Sequence, residues 1–174
     1  MTDEVDYDAP DHCTAGVIGE VGNRLFLFYV RQGIEETTVK VEKQQVSVLA
    51  GYLGRIVKEL GRPGHLPDDL TFYGNEDPEW VVGTIGVSYD EEIDRIVIVL
   101  EEVGGEVEDE EDEDDDESGH VLRVALSREQ AAAFAIHATR LVEAGRPPCP
   151  LCGLPLDPSG HDCPRTNGHR PPVT

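Results

Sequence analysis

The strongest constraint on the fold is a pattern of three strand-like segments followed by an amphipathic helix, which occurs twice in 174 residues. In the first half the strand-like segments are 13–18, 24–30 and 36–41, each rich in β-branched or aromatic residues and separated by turns that contain glycine. A helix is predicted over 43–60, because its apolar residues recur three or four apart and share one face. This half therefore predicts a strand-strand-strand-helix unit.

The second half has the same order of elements. Strands are predicted over 81–89, 94–100 and 120–126. Ser127 and Gln130 then form a capping-box pattern, in which the serine hydroxyl accepts from an early helix N–H and the glutamine reaches back. An apolar stripe that includes Phe134 and Val142 follows and predicts a second helix.

Short sequence matches between the two halves indicate an internal duplication. Residues 15–19 match 82–86 at an offset of 67, and the helix starts around Gln45 and Gln130 match at an offset of 85. The increase in this offset, from 67 to 85, falls largely where a long acidic run lies, so this run is predicted to be an insertion in the second unit. Two such units predict an α+β fold with a mostly antiparallel six-stranded sheet and two helices on one face.

These patterns divide the chain into successive regions. The predicted organisation is a flexible acidic tail (1–11), a first repeat (12–60), a linker (61–79), a second repeat (80–145) with an acidic loop (101–118), a zinc knuckle (146–169) and a short tail (170–174).

The charge of the chain constrains its partners and its location. The net charge is −22, and removing the 13 acidic side chains of residues 101–117 still leaves −9. Such a surface repels phosphate backbones, which argues against binding to nucleic acids or anionic membranes. No segment has the roughly 20 apolar residues that cross a bilayer, and the acidic start of the chain is unlike a secretory signal. A cytoplasmic location is therefore predicted, where reduced thiols favour metal binding over disulfides.

The C-terminal cysteines predict a zinc site. Cys149 and Cys152 have the C-x₂-C spacing, which presents two thiolates from one tight turn, and His161 and Cys163 follow after eight residues. His169 is an alternative fourth ligand, which would leave His161 outside the site. We favour His161, because it lies within a compact closed loop.

Four protein ligands in one short loop indicate a structural rather than a catalytic metal, because a catalytic zinc keeps a position for water. Such a metal stabilises a segment that is too small for a core of its own. The remaining cysteine, Cys13, lies in a predicted strand and is interpreted as a small buried apolar residue.

The ending Cys149-Pro150-Leu151-Cys152-Gly153-Leu154-Pro155-Leu156-Asp157-Pro158-x-Gly160-His161-x-Cys163-Pro164-Arg165, together with the helix start at 42–45, resembles an actinobacterial family of repeat proteins with a domain of unknown function. The resemblance extends from Ala15 to Gly168. It implies a cytoplasmic actinobacterial protein, an apolar role for the position of Cys13 and a variable acidic insertion. It supplies no catalytic residues.

The leading functional hypothesis is a non-enzymatic zinc protein that binds another macromolecule, with an unidentified protein as its partner. One alternative is a single-stranded nucleic-acid binder that stacks bases on Phe26, Phe28 and Tyr29 of a sheet face. A second alternative is a zinc-dependent hydrolase, which would require an open position on the metal.

Overall fold

The computed structural model describes residues 3–20, 22–104, 119–145, 148–154, 156 and 161–165. Within these residues the chain forms seven strands and two helices, which establishes a mixed α+β fold. In chain order they are β1 (Asp3–Tyr7), β2 (His12–Ile18), β3 (Leu25–Gln32), β4 (Glu35–Val41), α1 (Lys43–Leu60), β5 (Val82–Asp90), β6 (Arg95–Glu102), β7 (His120–Leu126) and α2 (Arg128–Glu143).

The strands of the described residues form two sheets, so the prediction of a single six-stranded sheet is wrong. The small sheet has the order β2-β3-β4 and the large sheet the order β1-β7-β6-β5. An isolated parallel bridge between Lys40 and Val81 joins them. Beside this bridge, the Gln45 side chain donates to the carbonyl oxygens of Val82 and Gly83, at 3.2 and 3.1 Å. Strand β4 ends at Val41, one residue after the bridge, so its pairing stops where β5 begins.

The first strand replaces the flexible tail that the sequence predicts. Residues Asp3–Tyr7 pair in parallel with β7. Tyr7 is buried, and its hydroxyl lies 2.8 Å from the Thr37 hydroxyl. Arg123 of β7 lies 3.8 Å from Asp6 and 3.4 Å from Asp8. The acidic composition that suggests a tail is thus matched by a basic residue on the neighbouring strand.

One apolar core lies between the sheets and the helices. Alternate residues of each central strand face it, and Phe28 of β3 packs on Phe134 of α2 with ring centroids 5.6 Å apart. Helices α1 and α2 pack against each other, α2 covers β2, and α1 lies beside β5. Each helix follows an antiparallel three-stranded meander in this part of the chain. The duplication of the two units stays a prediction.

The predicted helix starts agree with the structure. Helix α1 has the bounds that the sequence predicts. At the start of α2, the Gln130 N–H donates to the Ser127 hydroxyl at 3.1 Å, and the Ser127 N–H donates to the Gln130 side chain at 3.0 Å. Neither helix in the described part of the chain is long and apolar enough to cross a membrane.

Residues 61–79 cover the outer face of the small sheet. The Thr14 hydroxyl donates to the Leu70 carbonyl oxygen at 2.8 Å, and the rings of Phe72 and Tyr29 meet edge to face at 5.7 Å. Tyr29 is consequently buried from this side, while Phe26 and Phe28 are buried in the core. The three aromatic side chains that the nucleic-acid hypothesis requires are therefore not available for stacking on bases.

Candidate metal centre

The chain after α2 forms a tight turn that presents two cysteines. The Gly153 N–H donates to the Cys149 carbonyl oxygen at 2.8 Å, and the Cys149 N–H donates to the Leu154 carbonyl oxygen at 2.7 Å. Gly153 has φ +74°, a left-handed conformation that glycine adopts without the steric cost of a side chain. This turn places the side chains of Cys149 and Cys152 on the same side of a closed loop.

Cys163 and His161 complete a cluster of four metal-binding side chains. One ligand atom from each lies within 4.8 Å of all the others. The Cys149 and Cys163 sulfurs are 4.0 Å apart, and the Cys152 sulfur is 3.5 Å from His161 Nε2. Zinc bonds of about 2.3 Å to sulfur and 2.0–2.1 Å to nitrogen imply tetrahedral edges of about 3.8 and 3.6 Å. The four side chains are therefore spaced to hold a metal ion of the size of zinc.

Backbone amides stabilise the thiolate of Cys149. Burial raises the pKa of this thiol, but hydrogen bonds from the N–H groups of Cys152 and Leu151, together with one from the Cys152 side chain, outweigh burial. The pKa of Cys149 accordingly lies below its ordinary value. The C-x₂-C turn thus supplies both the ligand and part of the charge stabilisation that the ligand needs.

The other two thiols respond differently to the same surroundings. Burial also acts against the Cys163 thiolate, yet hydrogen bonds from His161 and from the Arg165 N–H lower its pKa to about 6. The pKa of Cys152 is raised by burial and by the neighbouring Cys149 sulfur, despite a hydrogen bond from the Leu154 N–H. A divalent ion would release the Cys152 proton on binding, because metal ligands must be deprotonated.

The structure brings together the four residues that the sequence favours as ligands, Cys149, Cys152, His161 and Cys163. The alternative ligand His169 lies outside the described residues. Cys13 lies away from this cluster, buried in β2, and burial raises the pKa of its thiol far above the ordinary value. The interpretation of Cys13 as a buried apolar residue is confirmed.

All the described members of the cluster are cysteines and a histidine, without a carboxylate. The Cys149 and Cys163 side chains are buried, at 2% and 1% exposure, whereas Asp162 is exposed. Three sulfurs and one nitrogen could occupy the four corners of a tetrahedron around a zinc-sized ion. The four side chains are close enough to hold a metal ion.

A groove between α1 and β5 is a feature that the sequence analysis misses. It has a volume of about 560 Å³ and is lined by Val48 and Tyr52 of α1 and by Ile85 and Val87 of β5. Val48 and Tyr52 are half exposed, and β5 is the last strand of the large sheet. No local pattern indicates this groove, because its two sides lie more than 30 residues apart in the chain.

The fold and the cluster define an α+β protein with a possible Cys₃His metal site at its C-terminal end. The model of a family described as "Protein of unknown function (DUF3090)" matches residues 5–163, and the chain belongs to this family. No curated protein and no solved structure matches the chain.

Proposed function

We propose that this chain is a non-catalytic protein-binding module whose C-terminal segment is held by a structural zinc ion. The single observation that supports the proposal most is the closed set of four protein ligands, Cys149, Cys152, His161 and Cys163. Thiolate and imidazole ligands in tetrahedral array suit zinc, and the reduced thiols fit the cytoplasm as the proposed location.

The proposed zinc stabilises a segment that has little apolar burial of its own. In the described part of 148–165, only the ligands Cys149 and Cys163 are buried, and Leu151 and Leu154 are 46% and 51% exposed. The free energy of metal binding would replace the hydrophobic free energy that this segment lacks. A zinc-dependent hydrolase is not proposed. Hydrolysis needs an open coordination position on the metal, and four protein ligands would leave none.

The groove between α1 and β5 is the surface that best supports a protein partner. Backbone groups along the outer edge of β5 can pair with an extended segment, a common mode of peptide recognition. Such a segment would place alternate side chains against Val48 and Tyr52, which are half exposed. Charge repulsion from a chain of net charge −22 disfavours nucleic acid as the partner. We also propose that the strand-strand-strand-helix unit is duplicated and that the protein is actinobacterial. Both proposals rest on the sequence alone.

Affinity capture from a cytoplasmic extract tests the binding role. Tyr52→Glu introduces a charge into the groove, and Ile136→Glu does the same on the exposed face of α2, where Ile136 is 45% exposed. We expect a partner that the unmodified chain and Ile136→Glu retain and that Tyr52→Glu loses. Matching thermal unfolding curves exclude a folding defect. Identical capture by all three chains contradicts a partner in this groove.

Metal analysis tests the zinc independently. Chain purified without added metal is expected to contain one zinc ion, measured by elemental mass spectrometry. A zinc content near zero, with the turn around Cys149 still protected from amide hydrogen exchange, contradicts the structural role.

A further inference from the structure

Basic side chains converge at one cavity of a strongly acidic protein. The chain has 14 Lys and Arg residues against 36 Asp and Glu. Among the described residues, Arg24, Lys40 and Lys43 line a cavity of about 430 Å³, and Glu42 is the acidic residue in the same lining. The cavity lies where β3 begins, β4 passes into α1, and Gly145 follows α2. Its lining has an excess of two positive charges, against the sign of the whole chain.

These cations are not neutralised by described carboxylates. Within the part of the chain that the structure describes, Arg24, Lys40 and Lys43 form no ion pair, whereas Arg123 and Arg128 pair with aspartates. Glu42 is the N-cap residue of α1 and likewise forms no ion pair there. With no carboxylate partner among the described residues, an arginine and two lysines around one cavity are suited to bind an anionic ligand.

Arg24 is held in place by contacts that use one of its five N–H donors within the described part of the chain. One guanidinium nitrogen donates to the Leu141 carbonyl oxygen at 3.2 Å, and the guanidinium carbon lies 5.0 Å from the centre of the Phe26 ring. A side chain on Gly145 would collide with the guanidinium, since an added Cβ would lie 2.9 Å from its carbon. Four of the five N–H donors of Arg24 have no described partner. The group is therefore positioned in advance for an anion.

We propose that this cavity binds a phosphate monoester of a small organic molecule. A phosphate monoester carries nearly two negative charges at neutral pH, which match the local excess, and an arginine fork with lysines suits phosphate oxygens. The volume lies within the range of about 300–1,000 Å³ typical of ligand sites, so more than the phosphate fits. Leu25, which is partly exposed and lines the same cavity, offers apolar contact to the organic part. The cavity shares no lining residue with the proposed zinc ligands or with the groove between α1 and β5.

Calorimetric titration at constant ionic strength tests this site with phenyl phosphate, inorganic phosphate and phenol as probes. We expect phenyl phosphate to bind more tightly than inorganic phosphate and phenol to give no binding. Lys43→Met should weaken phenyl phosphate binding about tenfold, equivalent to about 1.4 kcal/mol. Lys58→Met is the matched control, because Lys58 is exposed near the other end of α1 and does not line the cavity. It should change affinity less than twofold.

A second variant tests the role of Arg24 without changing the charge. Gly145→Ala displaces the guanidinium and should weaken phenyl phosphate at least as much as Lys43→Met does, with an unchanged far-ultraviolet circular dichroism spectrum. Chemical shifts of the Arg24 and Lys43 amides should move on titration. No binding of phenyl phosphate at millimolar concentration overturns the proposal. Equal affinity for inorganic phosphate and phenyl phosphate, or equal losses in Lys43→Met and Lys58→Met, overturns it as well.

Discussion

The body of the protein, residues 3–145, and its C-terminal segment, residues 148–165, differ in how much apolar surface their described residues bury. The body buries large apolar side chains such as Leu53, Ile98 and Phe134 between two sheets and two helices within the described residues. The segment exposes about half of Leu151 and of Leu154. Apolar burial therefore stabilises the body, whereas we propose that a metal ion stabilises the segment.

The loss of a metal ligand should have the largest effect, and it should be confined to the segment. Cys163→Ser removes a buried thiolate ligand. Loss of a residue that only hydrogen-bonds to a metal ligand lowers metal affinity roughly 10–100-fold, so loss of the ligand itself should lower zinc affinity by more than this. Competition with a chromophoric chelator measures this affinity. Cys13→Ala is the control, because Cys13 is buried in the body, and it should leave the affinity unchanged. Equal zinc affinity in Cys163→Ser and the unmodified chain would contradict the assigned ligand set.

A cavity in the core should destabilise the body and spare the metal. Phe134 is 1% exposed and packs on Phe28. Phe134→Ala should lower the free energy of unfolding by about 3–5 kcal/mol, measured by urea denaturation. Zinc content under native conditions should stay at one ion per chain. An exposed neighbour provides the control: Ile136→Ala should change stability by no more than about 0.5 kcal/mol. A loss of zinc in folded Phe134→Ala would show that the two regions are not independent.

Removal of a helix cap should have a smaller effect on the body. The Ser127 hydroxyl accepts a hydrogen bond from the Gln130 N–H, and Ser127→Ala leaves this N–H without that partner. We expect a loss of about 1 kcal/mol in the free energy of unfolding. Ser47→Ala, at an exposed position within α1, is the matched control and should be neutral or slightly stabilising. Equal free energies of unfolding for Ser127→Ala and Ser47→Ala would contradict a stabilising cap at Ser127.

His120, which follows the acidic run of residues 101–117, should give the smallest effect. Its pKa is raised chiefly by a hydrogen bond to Glu102, at 2.8 Å, and the Glu102 pKa is lowered by His120. The stabilisation is therefore complete between the ordinary pKa values of 4.5 and 6.5. It is lost as pH rises through the raised His120 pKa, or falls through the lowered Glu102 pKa.

Because His120 is 44% exposed, this pair should contribute at most about 1 kcal/mol. An imidazole titration by nuclear magnetic resonance should place the His120 midpoint above 6.5, and Glu102→Gln should lower it. An unchanged His120 midpoint in Glu102→Gln would show that another group raises the His120 pKa.

Local sequence patterns predict the elements of the body well and their assembly poorly. The bounds of α1 and of β7 agree with the periodicity of apolar residues, because each pattern reports which face of a single element is buried. The separation into two sheets depends on where β4 ends, because β4 stops one residue after the bridge from Lys40 to Val81 and the chain then enters α1. That bridge joins residues 41 positions apart, which no local pattern encodes.

The first strand shows how composition misleads. Asp3–Tyr7 has three acidic residues in five, so composition predicts a solvated tail. It is ordered by a partner strand that provides Arg123 and by the burial of Tyr7. Strand β7, which carries Arg123, and Thr37, which contacts the Tyr7 hydroxyl, both lie far from residues 3–7 in the sequence.

The metal cluster was more predictable than the sheets, because its ligands lie within 15 residues and zinc imposes its own geometry. The cavity at Arg24, Lys40 and Lys43 could not be predicted from the sequence, because its lining comes from separate elements.

X-ray absorption spectroscopy at the zinc edge, on full-length chain purified without added metal, tests the central claim most directly. The account predicts three sulfur neighbours at about 2.3 Å and one imidazole nitrogen at about 2.0–2.1 Å, without a coordinated water. Fewer than three sulfurs, an additional oxygen neighbour, or the absence of bound zinc would contradict a closed site formed by Cys149, Cys152, His161 and Cys163.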